Sequence, residues 1–233
     1  MPLVRDLGIT YAIEFDIGSN TDFPASLEAM RKYTERAYAL DPNDPNTNFM
    51  MSVVYSFQGN EEQAERYRNQ ALQFGANNAD TMMQLALTYS GWQTDRALEL
   101  VERTLKLNPR YPLWWNFPIT YTYFAARQFD KALVTAKQAG ESPNQAAYVA
   151  MSAAQLGKTQ EAADAAAKVL RMRPDWTAES MYPYQNFADE ALLPEGAAKA
   201  GLPVCMTPAQ LAAFTGEYRL KQCEEERAKA ALN

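Results

Sequence analysis

The 233 residues hold 22 Lys and Arg against 28 Asp and Glu, a formal charge of -6, and 47% of them are hydrophobic. This is globular composition, and its scattered cations exclude the basic face that a phosphate backbone requires, so no nucleic-acid partner is expected. Histidine is absent and cysteine occurs only at Cys205 and Cys223, which excludes Ser-His and Cys-His nucleophilic catalysis, His-ligated zinc and Cys-rich metal sites.

No run of about 18 apolar residues exists, so no segment is expected to cross a bilayer. Met1-Pro2-Leu3-Val4-Arg5 lacks signal-peptide anatomy and moves at once into a helical pattern. An array that starts without a capping stretch is expected of a piece of a longer protein. Residues 3 to 15 read as a helix and residues 18 to 23 as a lengthened loop. Residues 24 to 40 read as a second helix, ending at Asp41-Pro42, with Ala37 and Leu40 as its small and large apolar positions.

From residue 48 a pattern of about 34 residues repeats. Asn48-x-x-Met51-Ser52-x-x-Tyr55 leads through Gly59-Asn60 to Ala64 and Ala71. Met82-x-x-Leu85-Ala86-x-x-Tyr89 leads to Ala97 and ends at Asn108-Pro109. Asn116-x-x-Ile119-Thr120-x-x-Tyr123 leads to Ala132 and Ala136 and ends at Pro143. Ala146-x-x-Val149-Ala150-x-x-Ala153 leads through Gly157 to Ala162 and Ala166 and ends at Arg173-Pro174.

The step from the aromatic slot to the second-helix alanine is nine residues at 55 to 64, 123 to 132 and 153 to 162, and eight at 89 to 97. That places a shorter turn in one segment. This is the tetratricopeptide period. Small residues at 52, 86, 120 and 150 and alanines at 64, 97, 132 and 162 let paired helices approach closely, while Tyr55, Tyr89 and Tyr123 fill the gaps between pairs. A pair alone cannot cover its apolar face, so pairs are expected to stack.

After Pro174 the pattern fades. Residues 177 to 188 and 190 to 200 are expected to form two capping helices, ending at Gly201-Leu202-Pro203. Thr207 is placed to cap a short helix opened by Pro208, and residues 218 to 232 form a last, charge-rich helix. The expected fold is all-α: a right-handed superhelical solenoid of about five tetratricopeptide-like helix pairs with C-terminal capping helices. Its expected parts are a repeat array over 1–176, a cap over 177–203 and an extension over 204–233.

Certain stretches carry a closer resemblance: "RAYALDPNDP", "GNEEQAERYRNQAL", "VERTLKLNPRYPLWWNFPITYTYFAARQFDKAL", "AAYVAMSAAQLGKTQEAADAAAKVLRMRPDWTAES" and "AAKAGLP". Over residues 3 to 203 the chain resembles the tetratricopeptide tails of bacterial class III adenylate/guanylate cyclases. The turn Asn108-Pro109-x-x-Pro112-x-Trp114 and the exit Ala200-Gly201-Leu202-Pro203 are the more specific features. In that family similar tails follow a cyclase domain, often with a membrane helix and a small α/β domain, and similar tails also follow winged-helix heads. The resemblance implies a bacterial signal-transduction protein in which this chain is the regulatory tail, with self-association suited to cyclase domains that work as dimers. No β-rich segment with paired metal-binding aspartates is present, so no cyclase activity is carried over. The chain itself is expected not to be an enzyme and to need no cofactor.

The inner face of such an array is lined by the second, fifth, ninth and twelfth repeat positions. These are Asn46, Phe49, Val53 and Ser56; Asp80, Met83, Leu87 and Ser90; Trp114, Phe117, Tyr121 and Phe124; and Asn144, Ala147, Met151 and Ala154. None is Lys or Arg, which argues against gripping a peptide's terminal carboxylate. The expected partner-binding residues are therefore the apolar Phe49, Val53, Met83, Leu87, Trp114, Phe117, Tyr121, Phe124 and Met151. They would serve a protein or peptide partner or a second copy of the chain. The alternatives are a small apolar ligand in an aromatic groove, or a face covered by neighbouring side chains and the C-terminal extension.

Residues 111 to 129 concentrate eight aromatics: Tyr111, Trp114, Trp115, Phe117, Tyr121, Tyr123, Phe124 and Phe129. Of these Trp114, Phe117, Tyr121 and Phe124 are expected as an exposed anchor cluster. Cys205 and Cys223 would close a loop with 17 residues between them if bonded, and a bond would imply an oxidising, extracytoplasmic setting. Reduced thiols are the alternative. Glu224-Glu225-Glu226, followed by Arg227 and Lys229, reads as a solvated helix face.

Overall fold

Thirteen α-helices run through the described residues of the computed structural model, which are 23–181, 189–213 and 220–231. In order they are α1 (Phe23–Leu40), α2 (Pro45–Phe57), α3 (Glu61–Phe74), α4 (Ala79–Tyr89), α5 (Thr94–Leu107), α6 (Asn116–Ala125) and α7 (Phe129–Gln138). There follow α8 (Pro143–Gln155), α9 (Thr159–Met172), α10 (Ala178–Met181), α11 (Leu192–Lys199), α12 (Pro208–Ala213) and α13 (Lys221–Ala231). A 3-10 turn, Leu113–Trp115, leads into α6. The expected helix over 3 to 15 and the loop up to residue 22 lie outside the described residues, as do positions 182–188 of the expected first capping helix.

The helices form two compact units. One takes residues up to Thr88 together with Glu99–Arg110; the other takes Tyr89–Leu98 and the chain from Tyr111. In the first unit α2 packs against both α1 and α3, and in the second α8 packs against α7 and α9.

The turn inside each pair explains the nine-residue step. After α2, Gly59 sits at φ +70, the Asn60 amide donates to the Tyr55 carbonyl at 2.9 Å and Gly59 to Ser56 at 3.0 Å. This is the Schellman arrangement, which needs one left-handed residue after the helix. Gly157 repeats it after α8, with Lys158 bonded to Ala153 at 2.9 Å. After α6 the same bond runs from Gln128 to Tyr123 at 2.9 Å, but the left-handed residue is Arg127, at φ 56. The eight-residue step follows a different turn: the Gln93 amide reaches the Tyr89 carbonyl directly at 2.8 Å. One loop residue is thereby saved.

Some helix starts carry side-chain caps. Asp44 accepts the Thr47 amide at 2.6 Å ahead of Pro45, and Ser142 accepts the Gln145 amide at 3.1 Å ahead of Pro143. Pro143 therefore opens α8 rather than closing α7, a correction to its expected place as an exit; it fits there because the first helical N–H has no partner to lose. Thr207 caps α12 as expected: its hydroxyl accepts the Gln210 amide at 3.3 Å, while the Gln210 side chain accepts the Thr207 amide at 2.8 Å. The small residues meet their purpose: Ser52, Ala86, Thr120 and Ala150 are fully buried, as are Ala64, Ala97 and Ala132. Two pairs of the hydroxyls carried inward bond each other, Thr120 to Thr135 at 2.9 Å and Ser90 with Thr122 at 2.7 Å.

Candidate functional site

In the first unit the expected inner-face residues sit on α2 and α4. Phe49 and Met83 are buried, while Val53 and Leu87 are half-buried. Successive first helices are tied here by the Thr81 hydroxyl donating to Asn46 Oδ1 at 2.9 Å. A residue outside the repeat slots adds charge: Arg68 of α3, buried beneath the surface, donates to Ser56 Oγ at 2.6 Å and pairs with Glu61 and Glu65. Its charge is matched by those carboxylates. Beside it Tyr67 stacks on Tyr55 with ring centroids 5.4 Å apart and meets Tyr38 edge-on at 5.4 Å. Burial, and then the neighbouring phenols Tyr38 and Tyr55, push the Tyr67 hydroxyl up to about 12.

In the second unit the aromatic stretch divides. Leu113 and Trp114 stand on the 3-10 turn with 63% and 44% of their surface exposed, and Phe117 is half-buried. The turn is stiffened from below: buried Trp115 stacks on Tyr111 at 5.7 Å, and the Tyr111 hydroxyl donates to Asn116 Oδ1 at 3.1 Å. Tyr121 and Phe124 are not exposed, which corrects their place in the anchor cluster. Their rings lie against Tyr148 of α8, and Phe124 also meets Phe129 edge-on.

Phe124 and Met151 are fully buried because α11 lies over them. The crossing point is Gly196: a Cβ there would stand 3.2 Å from Met151 Cβ and 3.3 Å from Phe124 Cζ. A side chain there is tight, since Met151 or Phe124 must give way by a few tenths of an ångström to admit even a Cβ. Leu192, Leu193 and Ala197 are buried beside it, while Glu195, Ala198 and Lys199 face outward. The ends are held by polar contacts, Lys199 Nζ to Gln155 Oε1 at 3.1 Å and Arg127 Nε to Asp189 Oδ2 at 3.2 Å. A glycine inside a helical pattern is the one sequence signal that marks this close contact.

The C-terminal extension closes on itself. Cys205 and Cys223 form a disulfide. The amides of Ala178 and Glu179 donate to the carbonyls of Pro203 and Val204 at 3.0 and 2.9 Å. Glu179, fully buried, accepts both Nη groups of Arg227 at 2.7 and 2.9 Å and the Met206 amide at 2.8 Å. Those carboxylate bonds hold the Arg227 guanidinium above its usual range, against the opposing effect of burial. Nothing in the spacing of residues 179 and 227 announces this pair.

A Glu179 oxygen and the two sulfurs lie within 4.8 Å of one another. This is not a free donor set, since the sulfurs are bonded to each other and the carboxylate is held by Arg227. Glu224, Glu225 and Glu226 are exposed. No described helix is long and apolar enough to cross a membrane.

No protein-family model matches the chain, and no curated protein does. Solved structures do. TTC0263, a thermophilic TPR protein of Thermus thermophilus, is 20% identical, with a TM-score of 0.53 over 76% of this chain and 92% of its own. PilW, a widely conserved type IV pilus biogenesis factor, is 15% identical, with a TM-score of 0.57 over 95% of this chain and 97% of its own. The chain thus has an all-α fold of the tetratricopeptide type.

Proposed function

We propose that the chain is a non-enzymatic docking module for a protein partner, anchored by Leu113, Trp114 and Phe117. The observation that supports this most is the exposed Trp114 on a turn held rigid by the Tyr111–Trp115 stack. A large aromatic already ordered before binding loses little entropy on contact, and such residues dominate interface energetics. A small-ligand site is less well supported, because Tyr121 and Phe124 point into packing between helices of one unit rather than into an open groove. The disulfide supports placing the extension in an oxidising compartment.

A cyclase-type parent is a proposal supported by the turn over residues 108–114 and the exit over 200–203 alone. In-frame coding sequence for a class III cyclase domain would support it, and its absence from the complete gene would remove it.

The docking role is tested by affinity capture from the source cell with the wild-type chain and a Trp114→Ala/Phe117→Ala variant. A partner retained by the wild type and reduced roughly tenfold by the variant, at unchanged thermal midpoint, is the expected result. Equal retention by both chains would overturn it. Light scattering on both chains distinguishes a foreign partner from a second copy.

A further inference from the structure

We infer that the apolar face over Phe124 and Met151 is a helix-binding groove whose resting occupant is the chain's own α11. Its displacing partner would be a longer helix carrying the same Leu-Leu-x-x-Gly spacing. This rests on the docking role proposed above and adds a second, self-occupied site to it.

The groove chemistry is read from what lies in it. Leu192 and Leu193 are buried side by side, and three residues past Leu193 the backbone comes within contact of α8 and α6 at Gly196. Two adjacent aliphatics followed by a small residue one turn later is thus the pattern the face accepts. A longer side chain at the crossing point has to displace Met151 or Phe124, which a Cβ would already meet at 3.2 and 3.3 Å.

α11 is also poorly suited to stand alone. It has eight residues, Ala191 at its N-cap makes no side-chain bond, and Gly196 lies within it. Isolated helices shorter than about 12 residues are marginal in water, and an interior glycine costs about 1 kcal/mol relative to alanine. The helix therefore persists because the groove holds it, and its flanking contacts, Arg127 with Asp189 and Lys199 with Gln155, are solvent-facing polar ones. A capped helix of three or four turns with the same apolar pattern would meet the groove without that deficit. While α11 is seated, the apparent affinity for such a helix is lowered by the fraction of time the groove stands open.

A fluorescent synthetic peptide of residues 189–201 tests this against the full-length chain. Gly196→Leu cannot seat its own α11, so this chain should take the peptide at least about tenfold more tightly than the wild type. A peptide carrying Gly196→Leu should bind neither. If Gly196→Leu proves unfolded by circular dichroism, Leu192→Ala/Leu193→Ala weakens the seat without adding atoms and should show the same gain. Hydrogen exchange on the wild type should find α11 amides opening before those of α8. Failure of both folded variants to take the peptide, or α11 exchanging only with global unfolding, would overturn the proposal. The Trp114 docking role would stand after such a failure, because its own test reads a different surface.

Discussion

Arg227 and Glu179, 48 positions apart, form a two-pronged ion pair at 2.7 and 2.9 Å in which the carboxylate has no exposed surface. Removing one partner of such a pair strands the other. Arg227→Met leaves Glu179 with the Met206 amide and should cost about 2 to 3 kcal/mol, below the usual range for buried pairs because the arginine is partly exposed. Adding Glu179→Gln should recover part of that loss. Urea denaturation of the single and double variants decides this, and a loss below about 0.5 kcal/mol in Arg227→Met would show the pair to be dispensable.

The disulfide acts on the same extension from the other side. Its sequence separation is 18, for which the chain-entropy model assigns about 3 kcal/mol to closing the loop in the unfolded state. Reductant, or Cys205→Ser/Cys223→Ser, should therefore lower the denaturation midpoint and leave α13 the first segment cut by protease. Two titratable thiols in the unreduced, unfolded chain would contradict the bond itself.

Arg127 occupies the left-handed position that Gly59 and Gly157 fill in the equivalent turns. A side chain there costs about 1 to 2 kcal/mol. Arg127→Ala keeps that cost and loses the contact with Asp189; Arg127→Gly loses the contact and the cost together. The glycine variant should accordingly be the more stable of the two by about 1 kcal/mol, read from paired thermal melts. The reverse order would mean that the turn carries no strain.

Tyr67 provides a pH test. Its hydroxyl is pushed up to about 12 in the folded chain by burial first and then by Tyr38 and Tyr55. The folded state thus holds this proton more tightly than the unfolded state, whose phenol titrates near 10. The stabilisation is complete below about pH 10 and is lost as the pH rises from there towards 12. Tyr67→Phe should flatten the fall in stability over that window, while ultraviolet titration of the wild type should show one phenol ionising late. An identical alkaline profile in the two chains would place the effect elsewhere.

The helix pairs were legible because their rules are local or periodic. Alanine or another small residue must lie where two helices touch, so Ser52, Ala86, Thr120, Ala150 and the second-helix alanines recur at fixed steps whatever surrounds them. The eight-residue step at 89 to 97 announced a shorter turn for the same reason. The inner-face residues were harder. Slot arithmetic placed Trp114 and Phe124 on one face, yet Phe124 is covered and Trp114 is not, because exposure depends on which later segment comes to lie over a slot. Gly196 carried the only trace of that event.

By itself, then, the sequence determined what repeats: helix pairs, their caps, the close-packed alanines and the exclusion of histidine chemistry, each dictated by neighbours within about 34 residues. The tertiary structure alone decided what meets once. Glu179 finds Arg227, Cys205 finds Cys223, and α11 settles over Phe124 and Met151 through packing between segments whose separation follows no period. The ion pair is held by charged hydrogen bonds and the disulfide by a covalent bond, while the contact of α11 with Phe124 and Met151 is held by burial. Spacing cannot foretell it, because the side chain that excludes water comes from elsewhere in the chain.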